Sequence, residues 1–317
     1  MSILVYIELE NGQVKKASLE ALAYGASLAS TIGGAVKGIA STPVEEDALT
    51  AIGATGVSSV LQMEGVDTTQ VAAIASGIHE IAQQENTTIV VLPHSTTTEP
   101  ISARLAIKLD AGVVTNVIGL PDTTAGFVIK KSVYTSKAFV TIDVTSEKKV
   151  LTLKKNSFEY EETSGAATAE TKSVNGGTTA KVEVLDTKVA EGDVLLPEAE
   201  LVISAGRGLK GPENWGMIED LAKTIGAATA CSKPVSDVGW RPHHEHVGQT
   251  GIKISPNLYI AVGISGAIQH LAGVSSSKVI VAINTDEDAP FFKAADYGIV
   301  GDAFDVVPKL IEALKSS

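Results

Sequence analysis

Several residue types are scarce in this sequence, and each shortage excludes a class of protein. The single cysteine, Cys231, permits no internal disulfide and no cysteine-rich metal site, which suits a reducing compartment. The net charge is −12 and no basic block occurs, so nucleic acid and anionic membrane surfaces are poor partners. No apolar run approaches the roughly 20 residues that span a bilayer, and no basic leader precedes the first strand-like residues. We therefore expect a cytoplasmic protein without membrane insertion.

The composition is that of a protein with sizeable cores. Apolar residues make up 44% of the 317 residues, enough for about two domains of roughly 100–200 residues each. In the first part of the chain, apolar strand-like runs alternate with helical faces, which predicts an α/β layer with right-handed crossovers. Three short β-rich segments then follow, and we expect them to be antiparallel strands added to the first sheet. They cover residues 127–132, 138–144 and 149–153.

The pattern between the two predicted domains is different. Residues 164–179 are rich in Ser, Thr, Ala and Gly, which predicts an exposed loop, and a charged stretch follows. We place the boundary near Ala190. This gives an N-terminal α/β, nucleotide-binding-like domain at 1–189 and a C-terminal doubly wound, parallel-sheet domain at 190–317.

Each predicted strand of the second domain is followed by polar residues. Because ligands bind at the carboxyl ends of strands in open α/β sheets, five such coincidences predict a binding site. The residues are Arg207 after 201–205, Ser232 and Lys233 after 227–230, Ser265 after 258–262, Asn284 after 279–283, and Asp302 after 297–300.

Residues 247–284 are the centre of this predicted site. A strand, a tight turn from Gly263 through Ser265 and Gly266, and a helix opening at Ala267 offer backbone N–H groups to phosphate. Single features have plainer explanations. Gly206-Arg207-Gly208 is equally a tight turn with a surface arginine, Ser265 equally a helix cap, and His270, next to Gln269, equally a packed side chain.

Other candidate groups point less clearly to chemistry. His243, His244 and His246 lie near Glu245, but their spacing matches no usual zinc pattern, so histidines of a flexible loop explain them better. His94-Ser95, at the end of a buried strand, is a possible site in the first domain. No nucleophile–base pair stands out. We therefore predict a site that holds a phosphate-bearing cofactor, without catalytic side chains and without a metal.

Four segments carry a resemblance to a known family. They are V-G-Q-T-G at 247–251, L-Y-I-A-V-G-I-S-G-A-I-Q-H-L-A-G at 258–273, S-K-V-I-V-A-I-N at 277–284 and A-D-Y-G-I-V-G-D at 295–302. With them the sequence resembles the α subunit of electron transfer flavoprotein, densely from 201 to 314 and more loosely in the first domain. The resemblance implies FAD, held mainly by the second domain. It also implies a β subunit that binds AMP and completes a heterodimer.

The resemblance also implies roles for individual residues. Arg207 matches an FAD-contacting arginine, and Asp302 matches a residue near the adenosine half. His270 matches a histidine near flavin O2. Ser232, Ser265 and Asn284 match diphosphate or ribityl contacts. Gln249 and Thr250, between Gly248 and Gly251, match the pair at the flavin edge, with the threonine hydroxyl near N5.

Lys233 departs from the family, which commonly has arginine there against the flavin ring. Lysine keeps the charge but loses planar stacking and fork geometry, so we predict a shifted redox potential. The expected function is an electron carrier between flavin dehydrogenases, acyl-CoA dehydrogenases among them, and a quinone oxidoreductase, with no substrate chemistry of its own. Two alternatives stay open: a subunit of an NADH-oxidising bifurcating complex, and a nucleotide-binding regulatory protein without redox function.

Overall fold

The structure, a computed structural model, describes residues 1–134, 138–175, 185, 196 and 199–316. The chain forms two compact units, Met1–Thr187 and Lys188–Ser317. The predicted boundary near Ala190 lies outside the described residues. No helix within the described ranges is both long enough and apolar enough to cross a membrane.

The first unit is an α/β layer built on a mixed sheet. Its strands are β1 (Ser2–Ile7), β2 (Leu9–Glu10), β3 (Gln13–Val14), β4 (Ala35–Ala40), β5 (Ser59–Glu64), β6 (Ile89–Pro93), β7 (Ala111–Val117), β8 (Val128–Val133), β9 (Ala138–Asp143), β10 (Lys148–Leu153) and β11 (Thr168–Ser173). Its helices are α1 (Lys16–Ile32), α2 (Glu46–Gly53), α3 (Val71–Gln84) and α4 (Thr98–Leu109). Across the described part of this unit, nine strands pair in the order β11-β5-β4-β1-β6-β10-β7-β8-β9, while β2 and β3 form a separate hairpin.

The centre of this sheet is parallel and apolar on both faces. β1 pairs in parallel with β4 and β6, and residues 3–7 are all buried. Strands covered on both faces consist of continuous apolar runs, as the sequence of β1 and β6 predicts. Helix α1 approaches the sheet closely because its inner face is small. A Cβ on Gly25 would lie 2.5 Å from a methyl carbon of Val5.

β10 corrects one prediction. We expected three appended antiparallel strands, and β8 and β9 are indeed an antiparallel pair. β10, however, lies inside the sheet, parallel to both β6 and β7, with Val150 opposite Val90 and Val113. The reason is burial: residues 150–153 are all buried, as in a central strand and unlike an added one.

β11 corrects a second prediction, that of an exposed loop at 164–179. Residues 168–173 pair in parallel with β5 over six positions, from Thr168 opposite Ser59 to Ser173 opposite Glu64. Most of the side chains on this edge strand are exposed. Main-chain hydrogen bonds to β5, rather than burial of side chains, hold β11 in the sheet. Its polar composition therefore does not indicate a strand. Gly176-Gly177 in the same predicted loop lie outside the described residues.

The second unit is an open parallel sheet with helices beside it. Its strands are β12 (Leu201–Ala205), β13 (Ala228–Cys231), β14 (Leu258–Val262), β15 (Val279–Asn284) and β16 (Tyr297–Val300). Its helices are α5 (Gly216–Ile225), α6 (Lys233–Asp237), α7 (Ile268–Val274) and α8 (Ala303–Lys315). Within residues 199–316, five strands pair in parallel in the order β13-β12-β14-β15-β16. After β12 the chain adds β13 on one side, and it then returns to add β14 on the other side. The strand order therefore reverses between β12 and β14. Such a reversal opens a crevice at the carboxyl ends of the two strands.

Candidate cofactor site

A cavity of about 580 Å³ opens at the carboxyl ends of β12 and β14 in the second unit. Volumes of this size are ordinary for pockets that hold small molecules and cofactors. Twelve of the predicted site residues form its wall: Arg207, Ser232, Lys233, Gly248, Gln249, Thr250, Gly263, Ser265, Ala267, Gln269, His270 and Asn284. The structure thus brings together residues that are up to 77 positions apart in the sequence.

Two glycine turns meet at the point where the strand order reverses. The Gly206 N–H donates to the Val262 carbonyl at 2.9 Å, and the Gly208 N–H donates to the Gly263 carbonyl at 3.2 Å. A Cβ on Gly206 would overlap the Gly263 carbonyl oxygen, and one on Gly208 would lie 2.7 Å from the Gly263 Cα. Only glycine permits this approach, which leaves backbone rather than side chains at the cavity floor.

One end of the cavity carries donors suited to phosphate. Arg207 supplies positive charge, and Ser232, at the start of α6, supplies a hydroxyl. Opposite them, the Asn284 side-chain amide donates to the Ile264 carbonyl at 3.1 Å. This bond fixes the turn before α7, whose free N–H groups add donors. Because α6 and α7 are short, these individual hydrogen-bond donors contribute more to phosphate binding than a helix dipole does.

The other end of the cavity is formed by the 248–251 loop (Gly248, Gln249, Thr250 and Gly251). The Gln249 N–H donates to the Gln269 carbonyl at 2.7 Å, which ties the loop to α7. Gly273 of that helix packs directly on it, since a Cβ there would lie 2.5 Å from the Gly248 nitrogen. The side chains of Gln249 and Thr250 remain exposed at the cavity wall. A fixed backbone thus presents two polar side chains.

His270 is a buried and neutral member of the wall. Its Nε2 lies 2.7 Å from the Tyr259 hydroxyl oxygen. Burial, together with His246 nearby, lowers the pKa of His270 to about 4. Its Nδ1 has no partner of normal hydrogen-bond geometry in the described structure. The backbone of Val247 raises the pKa of His270, but by less than burial lowers it. The ring can therefore offer a neutral hydrogen-bonding nitrogen to a ligand.

Sequence comparison agrees with this arrangement. Residues 3–178 match the family profile of the electron transfer flavoprotein domain, and residues 195–275 match that of the electron transfer flavoprotein FAD-binding domain. The electron transfer flavoprotein subunit alpha of Bacillus subtilis (strain 168) is 33% identical over 99% of this chain and 97% of its own length. The chain belongs to the electron transfer flavoprotein α-subunit family. The corresponding subunit of Pseudomonas aeruginosa is 34% identical over 99% of this chain and 100% of its own length. That of Syntrophomonas wolfei is 41% identical over 71% of this chain and 72% of its own length.

The cavity of this electron transfer flavoprotein subunit fits FAD on its own chemistry. Two glycine turns packed so closely that a Cβ would not fit between them, with Arg207 on the same wall, suit a diphosphate. At the other end, the buried imidazole of His270 has an Nδ1 without a partner of normal geometry among the described residues. Buried polar atoms of this kind are normally paired, so a ring with polar edges is the expected neighbour.

Three predicted site residues lie outside the cavity wall, and their cofactor contacts stay predictions. The Gly251 N–H donates to the Gly248 carbonyl at 3.2 Å and closes the 248–251 loop. Gly266 has a φ of 87°, and a Cβ there would lie 2.5 Å from the Phe291 nitrogen. Asp302 caps α8 by accepting from the Phe304 N–H at 3.0 Å.

Seven further residues line the cavity and were missed: Gly206, Pro234, Asp237, His246, Val247, Ile264 and Asp286. Gly206, Pro234, Val247 and Ile264 carried a weak signal, because each is next to a predicted site residue in the sequence. His246 carried a contrary one, since its spacing favoured a flexible loop. That interpretation is wrong for His246, which is 2% exposed.

The histidine segment is held in place by an ion pair. In the described ranges, no three His, Cys, Asp or Glu side chains meet as a metal site requires. Glu245 instead accepts from Arg241 at two atoms, with distances of 2.6 and 2.8 Å. These bonds raise the pKa of Arg241, which also lies over the Trp215 ring. The ion pair anchors the segment that leads into the 248–251 loop.

The possible site at His94-Ser95 consists of groups that bond to one another. The Ser95 hydroxyl donates to Glu8 Oε1 at 3.0 Å, and His94 Nδ1 lies 3.0 Å from the Thr152 hydroxyl oxygen. Thr98, buried at the start of α4, also bonds to Ser95. These contacts tie the ends of β1, β6 and β10 together, which is a structural role.

Proposed function

We propose that this chain is the FAD-holding α subunit of a heterodimeric electron carrier. It accepts electrons from flavin dehydrogenases, acyl-CoA dehydrogenases among them, and delivers them to a quinone oxidoreductase. The observation that carries the proposal is the cavity at the strand-order reversal of the second unit, which lies largely within the matched FAD-binding domain. The AMP-binding β subunit that the resemblance implies would complete the complex. A cytoplasmic location belongs to the same proposal and is supported by the one, unpaired cysteine.

The wall residues have distinct tasks in this proposal. Arg207, Ser232, Ser265 and Asn284 would hold the diphosphate and ribityl parts, since they carry the charge and donors that oxygen-rich groups need. Gln249 and Thr250 would contact the edge of the ring.

Electrostatics is the second contribution of the chain. Bound FAD supplies reversible electron uptake, and the protein supplies orientation and local charge. Electron uptake places negative charge on the ring, so Lys233 and the hydrogen-bonding nitrogen of His270 would favour the reduced form. Buried catalytic acids, bases or nucleophiles are not required for this task. The proposal is therefore a redox carrier and not an enzyme that transforms a substrate.

The decisive experiment is co-expression with the β subunit, followed by a visible spectrum and reduction assays. We expect a yellow complex that is reduced by acyl-CoA together with its dehydrogenase, and not by NADH. Reduction by NADH would instead favour the bifurcating alternative. A colourless complex that binds only adenine nucleotide would contradict the proposal and favour a regulatory protein.

A pair of arginine variants tests the proposed site itself. Arg207→Gln removes a charge from the cavity wall, so it should lower FAD content and affinity by about tenfold or more, the cost of one charge-assisted hydrogen bond. Arg104→Gln is the matched control, because Arg104 is an exposed arginine on α4 of the other unit. Equal FAD retention in both variants would contradict the placement of the cofactor.

A further inference from the structure

His246 differs from the other two histidines of its segment. His243 and His244 are exposed, whereas His246 is 2% exposed and forms part of the cavity wall. Neither its sequence spacing nor the resemblance assigns it a role. Its position nevertheless places it between the end of β13 and the 248–251 loop.

The backbone of His246 closes that loop. Its carbonyl accepts from the Ile252 N–H at 2.8 Å, and the residue forms a parallel bridge with Cys231 at the end of β13. One turn of chain therefore leaves His246 and returns to it. The loop that carries Gln249 and Thr250 is thus built on this residue.

The imidazole lies against both glycines of the loop. A Cβ on Gly251 would lie 2.8 Å from His246 Nδ1 and 2.9 Å from Cε1, so only glycine leaves room for the ring. Nε2 is on the other side, 3.4 Å from the position of a Cβ on Gly248, which belongs to the cavity wall. The ring therefore turns Nδ1 into the loop and Nε2 toward the Gly248 side.

The two nitrogens have different surroundings. Nδ1 is buried and has no hydrogen-bond partner among the described residues. Burial, and then the charges of His243 and Lys233, lower the pKa of His246 against the opposing charge of Asp237, so the ring is mainly neutral at pH 7. A neutral imidazole carries one N–H and one bare nitrogen. Because Nδ1 meets no acceptor, the proton is favoured on Nε2.

We propose that His246 is a further cofactor-binding residue, which donates a hydrogen bond from Nε2 to an acceptor atom on the edge of the flavin ring. Its ring also supports the loop that holds Gln249 and Thr250. The inference rests on the proposed FAD-binding function. It adds a second imidazole, beside His270, at the redox end of the cavity.

Three variants of the αβ complex distinguish the hydrogen-bond donor of His246 from the space that its ring fills. His246→Gln places an amide N–H near the position of Nε2, His246→Asn places one near Nδ1, and His246→Leu fills the space without a donor. His244→Gln is the control, because it changes an exposed histidine of the same segment. FAD is removed, and its dissociation constant is measured on rebinding, together with the melting temperature of the FAD-free complex.

We expect the Leu and Asn variants to bind FAD at least tenfold more weakly, and the Gln and control variants to bind within about threefold of wild type. The midpoint potential of the Leu variant should become more negative, since a donor to the ring favours its reduced form. Unchanged affinity in the Leu variant would overturn the inference. Loss in the Gln variant equal to that in Leu, tracking a lower FAD-free melting temperature, would overturn it in favour of a packing role. A wild-type complex that binds no FAD would instead overturn the proposed function.

Discussion

Acidification should destabilise the second unit through His270. In the folded protein, burial lowers the pKa of this histidine from 6.5 to about 4. Between these two values the unfolded chain binds a proton at His270 and the folded chain does not. Stability therefore rises with pH across this window and is lost as pH falls from about 6.5 toward 4.

The size of the effect follows from the same two values. A tenfold difference in proton affinity is worth about 1.4 kcal/mol, so a pKa of about 4 instead of 6.5 corresponds to about 3 kcal/mol. The side chain is only 6% exposed, which leaves little screening by solvent. This is a large fraction of the ~5–15 kcal/mol that stabilises a typical domain.

The assay is chemical denaturation of the FAD-free αβ complex at fixed protein concentration, at pH values from 7 to 4. His270→Gln removes the titrating ring and keeps a polar group near Tyr259. We expect the wild type to lose about 3 kcal/mol more than this variant over the range. His244→Gln, on an exposed residue, should follow the wild type. Parallel losses in wild type and His270→Gln would refute the reasoning.

Three more substitutions test other parts of the site. Gly206→Ala should destabilise the protein by about 1–3 kcal/mol and lower FAD affinity, because the added Cβ would overlap a backbone oxygen. Gly216→Ala is the control, since its Cβ meets open space and the substitution should be neutral or stabilising. Melting curves of the two variants measure the difference. Lys233→Arg should shift the one-electron midpoint potential by about 20–40 mV, if ring stacking is worth about 0.5–1 kcal/mol, and a titration without change would contradict that role. Glu245→Gln should cost about 1–3 kcal/mol of unfolding free energy, because it leaves Arg241 without its two-point partner; an unchanged denaturation midpoint would argue against this anchor.

Much of the site could be predicted from the sequence because of one regularity. In a parallel sheet, the residues after each strand meet at one edge, so recognising β12 and β14 as buried strands was enough to bring Arg207 and Ser265 together. The resemblance then added the 248–251 loop, which no strand rule would place there. Asp302 shows the limit of the rule, since it follows a strand but caps a helix away from the cavity wall.

The errors have physical causes that a linear pattern does not contain. The apolar run of β10 indicates burial but not which strands are its neighbours, and its insertion between β6 and β7 depends on pairing across the sheet. β11 is held by main-chain bonds on an edge, which side-chain composition does not reveal. His246 looked like a surface residue because its burial arises only when the 248–251 loop returns to it.

The position of β10 has a consequence for how the chain is made. β6 and β7 are adjacent in synthesis order, yet each finds its partner on one side only when residues 148–153 have left the ribosome. Until then, the buried side chains of Val91 and Val114 would lack Leu151, their common neighbour on β10, and the nascent sheet would remain open in the middle. Contacts between distant residues are slow to form, because a long loop must close first. The first unit is thus expected to fold late in translation, and a chain released before residue 148 would expose an apolar gap that invites aggregation.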